Sequence, residues 1–218
     1  YEVAPHIFKL PDSMICVSFD IVQQVKDIYP KATSLHNIHS GIFRDKFLPL
    51  NRYNFSLPLK VISVGRLHAM KGFDSLILAI ANKNIKDLVH LTIVGDGPEK
   101  NSLQKLANEL NLKIDFIGRK TKKEVVEYLH KSHLFVSSSI ELKKQTEGTP
   151  TVIMEAMAAG LPVIATNVGG AKYIMKDKEN GFIIESQNHH ELTKSLIGFL
   201  KNKDLLYKQS RTNVNVSI

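Results

Sequence analysis

Cysteine is almost missing from this sequence, which limits the disulfide and thiol chemistry open to the chain. Cys16 is the single cysteine among 218 residues. No disulfide can therefore form within the chain, which favours a reducing, cytosolic compartment. Because apolar residues flank Cys16 on both sides, we expect it to be a small core residue and not a nucleophile.

Long apolar runs are missing as well. The sequence has no stretch of eighteen consecutive apolar residues, so no segment is predicted to span a membrane. Residues 1–10 contain no basic segment followed by an apolar one, so no signal peptide is predicted. The first residue is not Met, and we expect a fragment of a longer, cytoplasmic protein. Peripheral contact with the inner face of a membrane stays open.

The net charge of +8 raises nucleic acid as a partner, because clustered Lys and Arg neutralise phosphates. In this chain, however, basic residues are spread out and interleaved with acidic ones. The densest run fits a solvated helix start, a face toward anionic lipid, or a nucleic-acid contact. It consists of Arg119, Lys120, Lys122 and Lys123. With no aromatic-rich RNA-binding signature and no paired Cys/His zinc spacing, we expect no nucleic-acid partner.

From Leu59 onward, short apolar strands alternate with amphipathic helices. This alternation predicts an α/β fold with a parallel sheet covered on both faces. Right-handed crossovers make it a doubly wound, Rossmann-like sheet. Thr121 and Glu124 form a capping-box pattern, and Asn188 opens the last predicted helix. The strands are predicted at 60–65, 91–95, 114–118, 133–137, 161–166 and 181–185, and the helices at 73–83, from Pro98 to about 110, from 121, from about 149–151, and from 188 to 200.

The segment before this alternation has a different character. Residues 14–30 are typical of a strand followed by a helix that Pro30 ends, and the stretch from there to Pro58 is predicted to be irregular. The segment holds too little apolar surface for a domain of its own. We therefore divide the chain into residues 1–57, the tail of a preceding domain plus a linker, and residues 58–218, the main domain.

Glycines mark the predicted ligand side of the sheet. Doubly wound folds bind ligands at the carboxyl ends of their strands. Gly65, Gly95 and Gly118 lie at three of these ends, where the backbone must turn sharply or approach a ligand closely. Gly95 opens a Gly-Asp-Gly turn, which fits a simple tight turn equally well.

Two cations follow the first of these glycines. Arg66 and Lys71 lie in a turn between a strand and a helix. Cations at a strand end, beside a glycine, suit a diphosphate. They also fit two solvated surface charges.

The most informative stretch covers residues 147–166, EGTPTVIMEAMAAGLPVIAT. A helix is expected to begin near Thr149–Thr151, with Glu147 just before it and Glu155 about one turn inside. The helix N-terminus offers free N–H groups and a positive dipole end, which together favour an anion. The two carboxylates can accept hydrogen bonds from hydroxyls on either side of a bound phosphate. The alternative for Glu155 is a surface charge favoured by the helix dipole.

Together these motifs resemble the retaining glycosyltransferases of family 4, the group 1 transferases with the GT-B fold. The shared order is G-R-L…K-G, G-D-G-P, F-I-G, E-x(7)-E with A-M-A-A-G-L-P-V-I-A-T, and a later N-G-F. The resemblance covers about Val61 to Leu200. More weakly, VSFDIVQQV and HSGIFRDKF resemble the segment that closes the family's N-terminal domain.

The resemblance implies a role for each matching residue. In the family, two Rossmann-like domains face each other across a cleft, and the C-terminal one binds the nucleotide sugar. Arg66 and Lys71 would clamp the donor diphosphate, Glu147 would contact hydroxyls of the transferred sugar, and Glu155 would hold the ribose hydroxyls. The remaining donor-binding positions are Gly65, Gly95, Ile117, Gly118, Arg119, Gly148, Thr149, Thr151 and Val152. Of these, Ile117–Arg119 would border the nucleobase, while Thr149, Thr151 and Val152 would offer backbone N–H groups.

The reaction implied is transfer of a sugar from a nucleoside diphosphate sugar to an acceptor hydroxyl with retention of configuration, in surface polysaccharide or glycolipid synthesis. UDP and GDP sugars both fit. No Asp-x-Asp motif is present, so we expect no metal and no other cofactor, with protein cations replacing the metal. The alternatives are a nucleotide-sugar epimerase of the same architecture and a non-catalytic nucleotide-sugar-binding module.

The sequence also departs from the family pattern. The loop between Ser139 and Glu147 is longer than usual, and no crossover helix is recognisable in residues 211–218. The N-terminal domain, which binds the acceptor sugar or glycolipid in the family, is almost wholly missing. We therefore expect the chain to bind a donor but not to transfer its sugar.

Overall fold

A six-stranded parallel sheet between two layers of helices forms the centre of the structure. The structure is a computed structural model, and it describes residues 13–38, 40–48, 55–142 and 150–215. The elements in chain order are β1 (Met14–Cys16), α1 (Phe19–Ile28), β2 (Leu35–Asn37), β3 (Leu59–Val64), α2 (Phe73–Ile80), β4 (Val89–Val94), α3 (Lys100–Glu109), β5 (Ile114–Gly118), α4 (Lys122–His130), β6 (Leu134–Ser137), α5 (Thr151–Ala158), β7 (Val163–Thr166), α6 (Ala171–Ile174), β8 (Gly181–Ile184), α7 (His189–Lys201) and α8 (Lys203–Asn215), with short 3-10 helices at Arg44–Lys46 and Ala69–Lys71.

The strand order creates a crevice at one edge of the sheet. The order is β5-β4-β3-β6-β7-β8, and every neighbouring pair is parallel. The chain therefore winds outward in one direction from β3 and in the other from β6. Beyond the carboxyl ends of β3 and β6 lies the topological switch point, which is where open α/β sheets bind ligands. The hydroxyl of Ser63 in β3 donates to the carbonyl of Val136 in β6 over 2.7 Å and joins the two halves.

Apolar residues on both faces of the strands explain why helices cover both sides. In β3, Val61 packs with a cluster that includes side chains of α2, α3 and α7. Its neighbour Ile62 points to the opposite cluster, which includes side chains of α4 and α5. Both residues are buried. The predicted doubly wound α/β fold is confirmed.

The predicted helix boundaries are also confirmed where capping residues fix them. Thr121 caps α4. Its hydroxyl accepts from the amide of Glu124, and the Glu124 carboxylate accepts from the amide of Thr121, as a capping box requires. The Asn188 side chain accepts from the amide of Glu191 over 3.0 Å at the start of α7. Gly160 follows α5 with a φ of +77°, the left-handed conformation common after helix ends.

The N-terminal segment is more regular than predicted. Besides the expected β1 and α1, the structure contains β2, which pairs in parallel with β1, and the 3-10 helix at Arg44–Lys46. Cys16 is buried against Val25 of α1, so the expected core role of this cysteine is confirmed. Burial also raises the pKa of its thiol. The prediction of an irregular stretch up to Pro58 was therefore wrong over residues 35–37 and 44–46, because three-residue elements leave little periodic signal.

The C-terminal prediction also needs correction, because α7 is not the last helix. The helix α8 follows it and carries several poor helix formers, including Ser210 and Asn213. Tertiary contacts stabilise it: Asn213 is fully buried and donates to the carbonyls of Leu161 and Asn180 over 2.6 and 2.9 Å. The four-residue helix α6 was likewise not predicted.

Candidate functional site

Three of the predicted donor-binding residues meet around one cavity at the carboxyl ends of β3, β4 and β5. The cavity has a volume of about 550 Å³. Gly65, Gly95 and Arg119 line it, together with Arg66, the predicted diphosphate ligand. The other lining residues are Val64, Val94, Asp96, Gly97, Lys120 and Val125.

Backbone packing explains the Gly-Asp-Gly turn. A β-carbon on Gly95 would lie 1.8 Å from the carbonyl oxygen of Gly65, and one on Gly97 would lie 2.3 Å from that of Leu67. The amide of Leu67 also donates to the carbonyl of Asp96 over 3.0 Å. The turn is therefore more than a tight connection: it holds the backbone on either side of Arg66 at the cavity.

Lys71 lies beside the cavity and not among its described lining residues. It ends the 3-10 helix at Ala69–Lys71, and its methylenes pass within 3.6–3.7 Å of the position of a β-carbon on Gly65. Its carbonyl accepts from the hydroxyl of Ser138 over 3.0 Å. Lys71 is thereby fixed between the ends of β3 and β6, next to the switch point.

The basic run places two cations at the cavity. Arg119 and Lys120 both line it, whereas Ile117 and Gly118 are not among its described lining residues. Lys120 donates to the Glu124 carboxylate over 3.1 Å, which raises the pKa of Lys120. Hydrogen bonds from the hydroxyl and amide of Thr121, and then from Lys120, lower the pKa of Glu124 to about 2. Of the predicted segment Ile117–Arg119, only Arg119 is therefore among the described lining residues, and Lys120 lines the cavity although it was not a predicted donor-binding residue.

The second half of the predicted site lies partly outside the described residues. Glu147, Gly148 and Thr149 fall in the stretch 143–149, so their predicted roles are not tested. Thr151 and Val152 form the first turn of α5, where backbone N–H groups are free of helical partners. Both are half-buried.

Glu155 lies one turn inside α5, as predicted, and it is buried. Its side chain is 12% exposed, and its Oε1 forms an ion pair with Nζ of Lys122 at a distance of 3.2 Å. Lys122 is the first residue of α4 and is itself 57% exposed. The pairing joins two residues far apart in sequence, and no sequence pattern indicated it.

Two searches over the described parts of the chain bear on metals and membranes. Within these residues, no group of three or more His, Cys, Asp or Glu side chains is placed to hold a metal ion. None of the helices in the same residues is long and apolar enough to cross a bilayer.

Arg66, Arg119 and Lys120 thus lie at the carboxyl ends of strands in a doubly wound sheet, which is the side where such folds bind ligands. The family model for the glycosyl transferases of group 1 matches residues 54–215, and the chain belongs to that family. The resemblance identified from the motifs is thereby confirmed at the level of the family.

Two curated relatives match most of this chain but only about half of their own length. An uncharacterized glycosyltransferase of Haemophilus influenzae is 33% identical over 195 residues, which cover 87% of this chain and 53% of the relative. A UDP-Gal:alpha-D-GlcNAc-diphosphoundecaprenol alpha-1,3-galactosyltransferase of Escherichia coli is 28% identical over 215 residues. The match covers 93% of this chain and 53% of that relative. The chain thus spans about half the length of the curated relatives it matches.

Solved structures support the fold. Sucrose-phosphate synthase from Thermosynechococcus elongatus superposes with a TM-score of 0.82 at 22% identity, over 96% of this chain and 54% of that one. This superposition confirms the predicted fold class.

Proposed function

We propose that this chain is the donor-binding part of a retaining glycosyltransferase that moves a sugar from a nucleoside diphosphate sugar to an acceptor hydroxyl. The acceptor belongs to surface polysaccharide or glycolipid synthesis and is held mainly by a further N-terminal domain. The observation that carries the proposal is the cavity at the carboxyl ends of β3, β4 and β5, where Arg66, Arg119 and Lys120 surround glycine backbone.

The chemistry follows from where charge grows during the reaction. As the bond between the sugar and the diphosphate breaks, negative charge develops on the leaving diphosphate. Arg66 and Lys71 are the cations proposed to receive it, together with the free N–H groups of Thr151 and Val152. Groups that interact more strongly with this charge in the transition state than in the ground state accelerate the transfer.

The proposal assigns the ribose, the base and the transferred sugar of the donor to different residues. Glu155, one turn inside α5, would accept hydrogen bonds from the ribose hydroxyls. The segment Ile117–Arg119 would border the base, and Glu147 would contact the transferred sugar. Because protein cations neutralise the diphosphate, binding and transfer would need no metal.

A thermal-shift screen of nucleotide sugars tests the proposal. A ligand at one hundred times its dissociation constant stabilises the folded state by about 2.7 kcal/mol. We expect UDP or GDP sugars to raise the unfolding temperature of the chain, and the Arg66→Ala variant to lose about half of that shift or more. If no nucleotide sugar or nucleoside diphosphate stabilises the wild-type chain, the donor site does not exist.

A further inference from the structure

The carboxylate of Glu155 is held in place by another residue of the chain. It lies in the buried part of α5, with 12% of its side chain exposed. A buried carboxylate is costly unless a cation or hydrogen-bond donors satisfy it. Nζ of Lys122, from the start of α4, approaches Oε1 to 3.2 Å and supplies such a partner.

A third residue fixes the lysine itself. Nζ of Lys122 lies 5.2 Å from the centre of the Phe47 ring, within the range of a cation–π interaction. Phe47 is fully buried, and its carbonyl oxygen is 2.9 Å from Nε2 of His130 at the far end of α4. The ammonium therefore lies between a fully buried ring and a buried carboxylate, although the lysine side chain is 57% exposed.

This arrangement leaves part of the carboxylate available to a ligand. A carboxylate has two oxygens and about four lone-pair positions, and the contact from Lys122 is to Oε1. The Lys122–Glu155 pair is also near the cavity in sequence. Lys120 lines the cavity, and Lys122 follows it two residues later.

We propose that Lys122 is a positioning residue for the donor site: it holds the Glu155 carboxylate oriented so that the remaining lone pairs of that carboxylate accept hydrogen bonds from the two ribose hydroxyls. The inference rests on the proposed function, in which Glu155 binds the ribose. Lys122 stays on Oε1 when the nucleotide binds and acts through Glu155 without contacting the nucleotide.

Calorimetry on a matched set of variants tests this role. The probes are UDP and GDP and their 2′,3′-dideoxy analogues, titrated into wild type, Glu155→Gln, Lys122→Met, Lys122→Arg and the double variant Lys122→Met/Glu155→Gln. Methionine keeps an apolar stem over Phe47 but removes the cation. Lys123→Met is the control, because it removes the same charge from the neighbouring exposed position.

Five results are expected together. Glu155→Gln weakens the ribonucleotide by about tenfold or more and leaves the dideoxy analogue unchanged. Lys122→Met weakens the ribonucleotide by about twofold to fivefold, again without affecting the analogue. Lys122→Arg restores affinity to within about twofold, since it keeps the cation. The double variant is no weaker than Glu155→Gln, because both changes remove one interaction. Lys123→Met binds both ligands as wild type does.

The outcomes that contradict the inference are distinct from those that contradict the function. If Lys122→Met binds the ribonucleotide as tightly as wild type, or more tightly because the lysine competes with ribose, Lys122 is not a positioning residue. The ribose assignment survives that result as long as Glu155→Gln remains selective. If Glu155→Gln weakens both ligands equally, the ribose role of Glu155 is wrong, and the inference fails with it. Circular dichroism of each variant verifies that the fold is intact.

Discussion

The amide of Gly95 donates a hydrogen bond to the carbonyl oxygen of Gly118 over 2.9 Å, which joins the ends of β4 and β5. Both glycines have a positive φ, +148° at Gly95 and +77° at Gly118. Their surroundings differ. A β-carbon on Gly95 would collide with the Gly65 carbonyl, whereas one on Gly118 would meet no atom of the described residues within 4 Å.

This difference predicts unequal effects of alanine at the two positions. Gly118→Ala should cost about 1–2 kcal/mol of unfolding free energy, from backbone strain alone. Gly95→Ala should cost about 3 kcal/mol, because the backbone around Gly65 must also move. Urea unfolding measures both. Equal losses would mean that the contact between Gly95 and Gly65 is looser than the structure gives.

The proposed diphosphate clamp predicts selective loss of phosphate affinity. Arg66→Ala and Lys71→Ala should each weaken UDP or GDP by about tenfold to a hundredfold and leave uridine or guanosine binding unchanged, since charge-assisted contacts are made only to phosphate. Calorimetry measures both ligands. Lys83→Ala, an exposed position beyond the end of α2, is the control.

If Arg66→Ala and Lys71→Ala bind the diphosphates as wild type does, both residues are solvated surface charges. Lys71→Ala tests the proposed clamp more strictly than Arg66→Ala does, because of where Lys71 lies. Its stem packs beside Gly65, but it is not among the described lining residues of the cavity.

Metal independence is a further expectation. Titration of UDP and GDP into the chain should give the same affinity in EDTA as in excess Mg²⁺ or Mn²⁺, because the proposed clamp assigns neutralisation of the diphosphate to Arg66 and Lys71. A strict requirement for a divalent ion would show that the metal bridges the phosphates and that the role of the two cations is assigned wrongly.

The Thr121–Glu124 capping box predicts an acid-sensitive helix start. The pKa of Glu124 is lowered from the ordinary 4.5 to about 2, so its contribution is complete above pH 4.5 and is lost as the pH falls toward 2. An NMR titration of the Glu124 carboxyl should give that midpoint.

Variants separate the causes of this shift. Thr121→Ala should raise the midpoint more than Lys120→Met does, because Thr121 contributes the larger part of the shift. The reverse order would make the ion pair, and not the cap, the main stabiliser of the Glu124 carboxylate.

The chain by itself should bind a donor without transferring the sugar. It spans about half the length of its curated relatives, 53% of the Haemophilus influenzae protein. Its own core, with buried clusters on both faces of the sheet, predicts cooperative unfolding. Transfer by the purified chain at a rate typical of glycosyltransferases would contradict the expectation.

The sequence by itself determined the elements whose signal is local. Strands such as β3 are continuously apolar because both of their faces are buried, and Thr121 and Asn188 fix helix starts through their own hydrogen bonds. Motif order also identified the family, and the positions of Gly65, Gly95 and Arg66 at strand ends placed them at the cavity. Short elements were not predicted, because three or four residues are too few to show a helical or strand periodicity of apolar residues.

Only the tertiary structure decided which distant side chains meet. Glu155 and Lys122 pair across two helices, and Asn213 stabilises α8 through carbonyls of β-sheet connections far away in sequence. Likewise, the glycines of the Gly-Asp-Gly turn are required by the backbone of Gly65 and Leu67. Contacts of this kind depend on how the strands are ordered around the switch point, and no spacing within a single segment encodes that order.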